Sequence, residues 1–362
     1  MQKLKLLLVA GARPNFMKIA PVIRELKRRS EEFDYVLVHT GQHYDEGMSD
    51  VFFRDLGIPA PDHHLNVGSG SHAEQTARIM TAFEKVLQKD SPDCVVVFGD
   101  VNSTLACSIV AKKLEYPVAH VEAGLRSGDM RMPEEVNRVV TDAITDFLFC
   151  TEPSGVAHLQ QEGKEAGRIF HVGHVMIDNL LHELESLPQA TAPTPDGRFG
   201  VVTLHRPSNV DSPDVLSGIM SALAKISERL PLVFPVHPRT RQRLDAMGYV
   251  PPATIELTTP LGYRDFLQLW RRASLVLTDS GGLQEETTAL EIPCLTLRDN
   301  TERPVTLSEG TNRLVGSDPE AIVAGAAAAL AQAVEGRRPE LWDGRASQRI
   351  IEHLARELRA HL

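Results

Sequence analysis

At 362 residues the chain is longer than one ordinary hydrophobic core requires, and it fits two domains. An apolar fraction of 42% and a charged fraction of 24% are those of a soluble globular protein, and a net charge of −10 argues against nucleic acid as a main partner. No basic run suggests a membrane surface.

The chain opens with Lys3, Lys5 and the run Leu6–Val9, which imitates a secretory leader. The apolar run is shorter than the roughly 7–15 residues of a leader core, and Arg13-Pro14 follows at once. It reads instead as a first strand, Lys5–Ala10, of a cytoplasmic protein. No later segment reaches the roughly 18 uninterrupted apolar residues of a membrane span. Further strands are expected at Tyr35–His39, Cys94–Phe98, Val118–Val121 and Asp146–Cys150, with helical patterns such as Ile19–Arg29, His72–Lys89 and Thr104–Leu114 between them. Runs without period-two alternation suit strands buried on both faces, hence a parallel sheet covered by helices. The order repeats at Gly200–Leu204, Leu232–Val236, Thr254–Leu257, Leu275–Leu277 and Cys294–Leu297. Cys94, Cys107, Cys150 and Cys294 lack CxxC spacing and read as buried thiols of a reducing compartment.

Between the halves, Leu187 to Gly200 carries three prolines and two glycines, which is linker composition. The expected fold class is therefore α/β, with two facing Rossmann-like domains at 1–186 and 200–346 joined by a linker at 187–199. A last helix, Ser347–His361, sets Ile350, Ile351, Leu354 and Leu358 on one stripe that can pack back on the first domain. Ligands of such sheets bind beyond the carboxyl ends of the strands, so two facing domains define a deep cleft.

The chemistry-bearing turns fall at those ends. Gly11–Lys18 offers two cations, Arg13 and Lys18, near a helix start, but neither the dinucleotide fingerprint nor the Walker A pattern. Gln42 and His43 lie in a polar loop that suits a ligand contact or a hydrogen-bonded surface equally. Asp100 ends a strand and can serve a site or cap the next helix, as can Ser103. Glu122, at the end of an apolar strand, is a costly carboxylate to bury without a purpose. Glu134 and Glu135 follow Pro133 in the first turn of a helix, where acids also suit the dipole. In the second half His205 and Arg206 leave one strand and His237 the next. Thr278–Glu286 reads strand, small-residue turn, helix start, so the backbone N–H groups around Ser280, Gly281 and Gly282 suit a phosphate or diphosphate. An acid one turn into that helix suits ribose hydroxyls. The polar turns Arg298–Pro304 and Glu309–Arg313, with Arg303 and Arg313, can line the same cleft.

His63-His64 stands without metal-ligand spacing, and there is no G-x-S-x-G elbow. No metal and no cofactor are expected. These residues describe an enzyme working on a phosphorylated or nucleotide-linked substrate by general acid–base chemistry, with the reaction left open.

The runs GARPNFMKIAP, TGQHYDEGM, FGDVNSTLA, HVEAGLRSGD, MPEEVNR, TLHRPSNVD, PVHPRT, LTDSGGLQEE and RDNTERPVTLSEGTNRLVG, across residues 11–316, resemble the non-hydrolysing UDP-N-acetylglucosamine 2-epimerases. The resemblance implies a GT-B-like arrangement, a homodimer, and interconversion of UDP-GlcNAc with UDP-ManNAc for cell-surface polysaccharide. It implies elimination of UDP to 2-acetamidoglucal and re-addition. Asp100, Glu122 and Glu134 would be the acid–base carboxylates, and His205 would stand near the diphosphate. Arg13, Lys18, Ser280, Gly281 and Gly282 would hold phosphates, and Glu286 the ribose. Gln42, Glu134 and Arg206 match residues through which some relatives are activated by a second UDP-GlcNAc. Asp45 and Gly68–Ser71 depart from that pattern, so strong activation is not expected. Ala12 and Asn15 also depart from the usual threonine and glutamate. The wording GARP, HTGQHYDEGM and MRMPEE resembles as well the branch acting on UDP-linked 2,3-diacetamido uronic acids. A GT-B glycosyltransferase and a non-catalytic nucleotide-sugar sensor are the readings from other classes.

Overall fold

The computed structural model describes residues 3–41, 56–187, 195, 197–331 and 336–361, with the side chains of Arg13, Pro14 and His361 outside that set. Gln42, His43 and Asp45 lie outside the described residues, as does most of the linker.

Two units emerge from the packing: Met1–Leu181 with Glu340–Leu362, and His182–Pro339. In the first, parallel strands β1 (Leu4–Ala10), β2 (Phe33–His39), β3 (His63–His64), β4 (Cys94–Phe98), β5 (Val118–Val121), β6 (Phe147–Cys150) and β7 (Ile169–His171) lie in the order β3-β2-β1-β4-β5-β6-β7. In the second, β8 (Gly200–Thr203), β9 (Leu232–Pro235), β10 (Ile255–Thr258), β11 (Leu275–Thr278), β12 (Cys294–Thr296) and β13 (Asn312–Leu314) lie in the order β10-β9-β8-β11-β12-β13. Both are doubly wound sheets in the Rossmann order. Each reverses direction at one place, between β1 and β4 and between β8 and β11, and there the crossovers leave a crevice at the carboxyl ends.

The apolar runs form these strands because helices cover both faces. Leu7, Val9, Val36, Val38, Val95 and Val97 pack with Ile79, Phe83, Cys107 and Val110 in the first unit. Val202, Phe234, Leu277 and Leu295 pack with Leu216, Ile219, Leu223 and Ile322 in the second. Burying a side chain of this size contributes about 1.5–3 kcal/mol. All four cysteines are free and buried, and burial pushes each thiol up, Cys294 to about 12.

Residues 340–346, expected in the second domain, belong to the first unit. Trp342 is buried there and donates from Nε1 to the Thr151 carbonyl at 3.0 Å. The helix Ala346–His361 that follows buries Ile350, Ile351, Leu354 and Leu358. Asp178 fixes its start by accepting from Ala346 N, Ser347 N and Ser347 Oγ, and Arg359 near its end meets Glu32 at 2.9 Å.

One helix departs from the usual pattern. Pro133–Ile144 buries Glu135, Asn137, Arg138, Thr141 and Asp142, all polar, while Val136, Val140 and Ala143 face outward. Its amphipathicity is inside out.

Candidate active site

In the first unit the functional groups gather around the β1/β4 switch point. The turn after β1 leads into the helix Arg13–Arg28, with Ala12 as its N-cap. Asn15 ties that turn to the neighbouring strand. Its Oδ1 accepts from Gly11 N at 3.1 Å and Ala12 N at 2.9 Å, and its Nδ2 donates to the Phe98 carbonyl at 2.9 Å. One turn on, Lys18 lies buried, and its ammonium donates to Oε2 of Glu122. Lys18 is thus engaged with a carboxylate of its own unit.

Glu122 carries the strongest signal in the molecule. It follows β5 in the left-handed region at φ +76°, is 5% exposed, and its Oε1 has no hydrogen-bond partner among the described residues. A non-glycine residue held there costs on the order of 1–3 kcal/mol, and an orphaned buried acceptor adds to that. Two glycines make the arrangement possible. A Cβ on Gly99 would come within 2.8 Å of Lys18 Nζ, and one on Gly124 within 2.3 Å of the Gly155 carbonyl oxygen.

Asp100 leaves β4 beside this pair. The helix Asn102–Lys113 takes Val101 as its N-cap with no side-chain cap bond, so neither Asp100 nor Ser103 serves as the cap. Asp100 instead accepts from Arg138 Nη2 at 2.5 Å, and Asn137 Nδ2 donates to its carbonyl at 2.8 Å. Arg138 also pairs with Glu135, which accepts the N–H groups of Ser127 and Gly128. Burial alone would raise Glu135, but those donors and Arg138 bring it below its ordinary value. Glu134 lies exposed in the first turn of the same helix. Asp100 and Glu122 therefore sit at adjacent strand ends, and Glu134 is displaced from them along the chain.

The second unit builds its site at the β8/β11 switch point. Asp279 ends β11 fully buried and accepts from His205 N, Arg206 N and Asn209 Nδ2 across the sheet. His205 Nδ1 lies 2.8 Å from Asp279 Oδ1. Burial would raise Asp279, yet the His205 bond and charge and the two backbone N–H groups hold it below the usual range. Because an ionised carboxylate only accepts, His205 Nδ1 carries a proton, and Nε2 is the nitrogen of this half-exposed ring left for other contacts. His237, exposed at the N-cap of Pro238–Ala246, lies with its ring 6.0 Å from that of His205. Partial burial, His205 and Arg239 push His237 below its ordinary value. Both histidines line a largely apolar pocket with Thr203, Pro235, Pro260, Leu261 and Phe266.

Ser280 caps the helix Gly281–Ala289, so the N–H groups of its first turn have no helical acceptor. Gly282 opens on empty space, and the Arg303 guanidinium lies against Gly281. Glu285 is paired with Arg303, and Glu286 accepts from the Tyr263 hydroxyl at 2.9 Å, so neither acid opposes an anion at the turn. Burial first, then Arg298 and Arg303, lower Arg206, which donates from Nε to the Asp279 carbonyl. Arg313 differs from expectation. It stands exposed in edge strand β13, opposite Leu295, because Asn312–Leu314 pairs with β12 rather than forming a turn.

Sequence reasoning missed Asp279 as the group orienting His205, and Arg138, Asp142 and Tyr263 altogether. Asp279 carried a signal, an acid directly after an apolar strand; the others did not. No group of three or more His, Cys, Asp or Glu side chains among the described residues is arranged to hold a metal.

Two Rossmann-order units, one ending in ion-paired carboxylates and the other in an anion-type turn beside an oriented histidine, place the chain in the GT-B-like class. Comparison with known proteins makes this specific. The UDP-N-acetylglucosamine 2-epimerase family matches residues 24–355, and the chain belongs to it; it is an enzyme of the isomerase class. The UDP-N-acetylglucosamine 2-epimerase of Methanocaldococcus jannaschii is 40% identical over 97% of this chain and 99% of its own length. The UDP-2,3-diacetamido-2,3-dideoxy-D-glucuronate 2-epimerase of Pseudomonas aeruginosa is 41% identical over 98% of this chain and 100% of its own. A crystal structure of the M. jannaschii UDP-GlcNAc 2-epimerase in complex with UDP-GlcNAc and UDP superposes with a TM-score of 0.86 at 40% identity, covering 98% of this chain and 100% of that one.

Proposed function

We propose that the protein interconverts UDP-GlcNAc and UDP-ManNAc by eliminating UDP across C1–C2 to 2-acetamidoglucal and re-adding it to the other face. The observation that carries this reading is Glu122: buried, strained, ion-paired to Lys18 through one oxygen and, among the described residues, without a hydrogen-bond partner on the other. The C2 proton is not next to a carbonyl, so its removal needs a placed base and a leaving group that departs with it. Glu122 and Asp100 are carboxylates suited to that transfer, with Glu134 as a third, and Lys18 and Arg138 hold the first two in place. In the second unit the N–H groups at Ser280–Gly282 receive the diphosphate; Arg13, of the first unit, is a further phosphate ligand in this reading. His205, oriented by Asp279, stabilises its departure. Glu286 takes the ribose and the apolar pocket beside His205 takes the uracil ring.

Assembly as a cytoplasmic homodimer supplying ManNAc-type sugars for polysaccharide accompanies this reading. The exposed apolar pair Val136 and Val140, one turn apart on the helix Pro133–Ile144, suits a second copy of the chain. Light scattering reads that assembly directly, and a monomer at working concentration would remove it.

Proton NMR of the purified protein with UDP-GlcNAc in D2O tests the reaction. UDP-ManNAc carrying deuterium at C2 is the expected product. The 41% identity to the P. aeruginosa enzyme supports a second reading, the same inversion on a UDP-linked 2,3-diacetamido uronic acid. No exchange on UDP-GlcNAc, with turnover of the uronic acid donor, would establish that substrate instead.

A further inference from the structure

We infer that His120, hydrogen-bonded to Asp142 and to the Gly99 carbonyl, is the positioning residue that sets the spacing of Glu122 and Asp100, and that Asp142 is its anchor. The inference rests on the proposed roles of those two carboxylates. His120 lies in the middle of the carboxyl half of β5, and its side chain and that of Asp142 are both 0% exposed. Its Nε2 is 2.8 Å from the Gly99 carbonyl oxygen, which only accepts, so Nε2 carries a proton and donates. Its Nδ1 is 2.6 Å from Asp142 Oδ1. The other Asp142 oxygen accepts from Gly124 N at 3.0 Å and from Arg126 Nη1 at 2.8 Å. Burial would raise Asp142, but His120, Arg126 and the Gly124 N–H hold it below its ordinary value, so the anchor is an anion.

The chain positions gripped are telling. Gly99 is directly before Asp100, and Gly124 is two residues after Glu122. One buried pair therefore clamps the turn carrying one carboxylate to the turn carrying the other, across β4 and β5. The Gly99 end bears directly on the reacting group. Gly99 adopts φ +65°, and the position its Cβ would occupy is 2.8 Å from Lys18 Nζ and 3.5 Å from Glu122 Oε2. Rotation of the Gly99 peptide would move the wall on which the Lys18–Glu122 pair rests. A displacement near 1 Å at a reacting group can cost about 100-fold in rate, while UDP, whose proposed ligands include neither carboxylate, would bind as before.

Two substitutions separate positioning from mere stability, because each retains one half of the imidazole. His120→Asn keeps a donor where Nδ1 was, toward Asp142, and abandons Gly99. His120→Gln keeps a donor where Nε2 was, toward Gly99, and abandons Asp142. Epimerisation and C2 deuterium exchange are measured for wild type, both variants and Glu122→Gln, with UDP affinity by calorimetry. His120→Asn is expected to lower kcat by about 30- to 100-fold with UDP affinity within about threefold, and His120→Gln to restore about tenfold of that loss. Equal losses in the two variants, a loss confined to KM, or an unchanged kcat in His120→Asn would overturn the inference. If either variant fails to fold by circular dichroism, Asp142→Asn replaces it. A fall in kcat at unchanged UDP affinity then supports the clamp, and an unchanged kcat removes it. Failure of the underlying reading looks different: wild type would turn over neither UDP-sugar, or Glu122→Gln would stay active.

Discussion

The two units share a strand order and arm the same edge of the sheet with opposite logic. In the first, cations hold acids: Lys18 grips Glu122 and Arg138 grips Asp100, so the groups presented are carboxylates. In the second, buried acids hold basic groups: Asp279 grips His205 and Glu285 grips Arg303, so the groups presented are an imidazole and guanidinium beside a helix N-terminus. A carboxylate edge suits removal of a carbon-bound proton, and a donor edge suits a departing diphosphate. Duplicating one topology therefore does not duplicate its chemistry; the partner buried behind the presented residue decides it.

That contrast can be broken from either side. Glu122→Gln should act on chemistry alone, lowering kcat by at least about 1,000-fold while UDP affinity stays within about threefold; a folded variant that loses UDP binding would count against the division of labour. Asp279→Asn should act through orientation. The amide no longer draws the His205 Nδ1 proton, so kcat should fall on the order of 100-fold and UDP affinity should weaken as well. Steady-state kinetics beside calorimetry distinguishes the two patterns.

The smallest effect concerns acid stability and sharpens the contrast by pH. Burial first, and His64 second, push His39 in the first unit down to about 4. Between its ordinary value of 6.5 and about 4, the unfolded chain binds a proton that the folded ring refuses, so stability is lost as pH falls through that window, by roughly 3 kcal/mol at most. Glu302 in the second unit lies at about 2. Burial would raise it, but the Arg298 bond and charge overcome that. Its depressed value stabilises the fold above about 4.5, and that contribution is lost only as pH falls from there toward 2. Hydrogen exchange followed peptide by peptide should show the first unit loosening at higher pH than the second, and His39→Gln should flatten the earlier slope.

How much of this was legible beforehand follows from what each feature depends on. Cys94–Phe98 and Val118–Val121 appear with the bounds expected, because a strand buried on both faces writes itself as an uninterrupted apolar run. The edge strands Ile169–His171 and Asn312–Leu314 did not, since three residues with partly exposed side chains carry no periodicity. The presented residues Glu122, Asp100, His205 and Glu286 were legible from their places at strand ends and at a helix start. Their holders were not. Asp279 lies 74 residues from His205 and Arg138 lies 38 from Asp100, and only the β8/β11 and β4/β5 pairings bring them together.

The inside-out helix Pro133–Ile144 has a consequence for how the first unit assembles. Ordinary helices are drawn onto a sheet early because their apolar stripe seeks cover. This one offers the sheet Glu135, Asn137, Arg138 and Asp142, whose partners at Ser127, Asp100, His120 and Gly124 exist only once the neighbouring turns have formed. Its place on the sheet is therefore set by specific polar partners rather than by an apolar stripe, and those partners tie the two acid-bearing turns together.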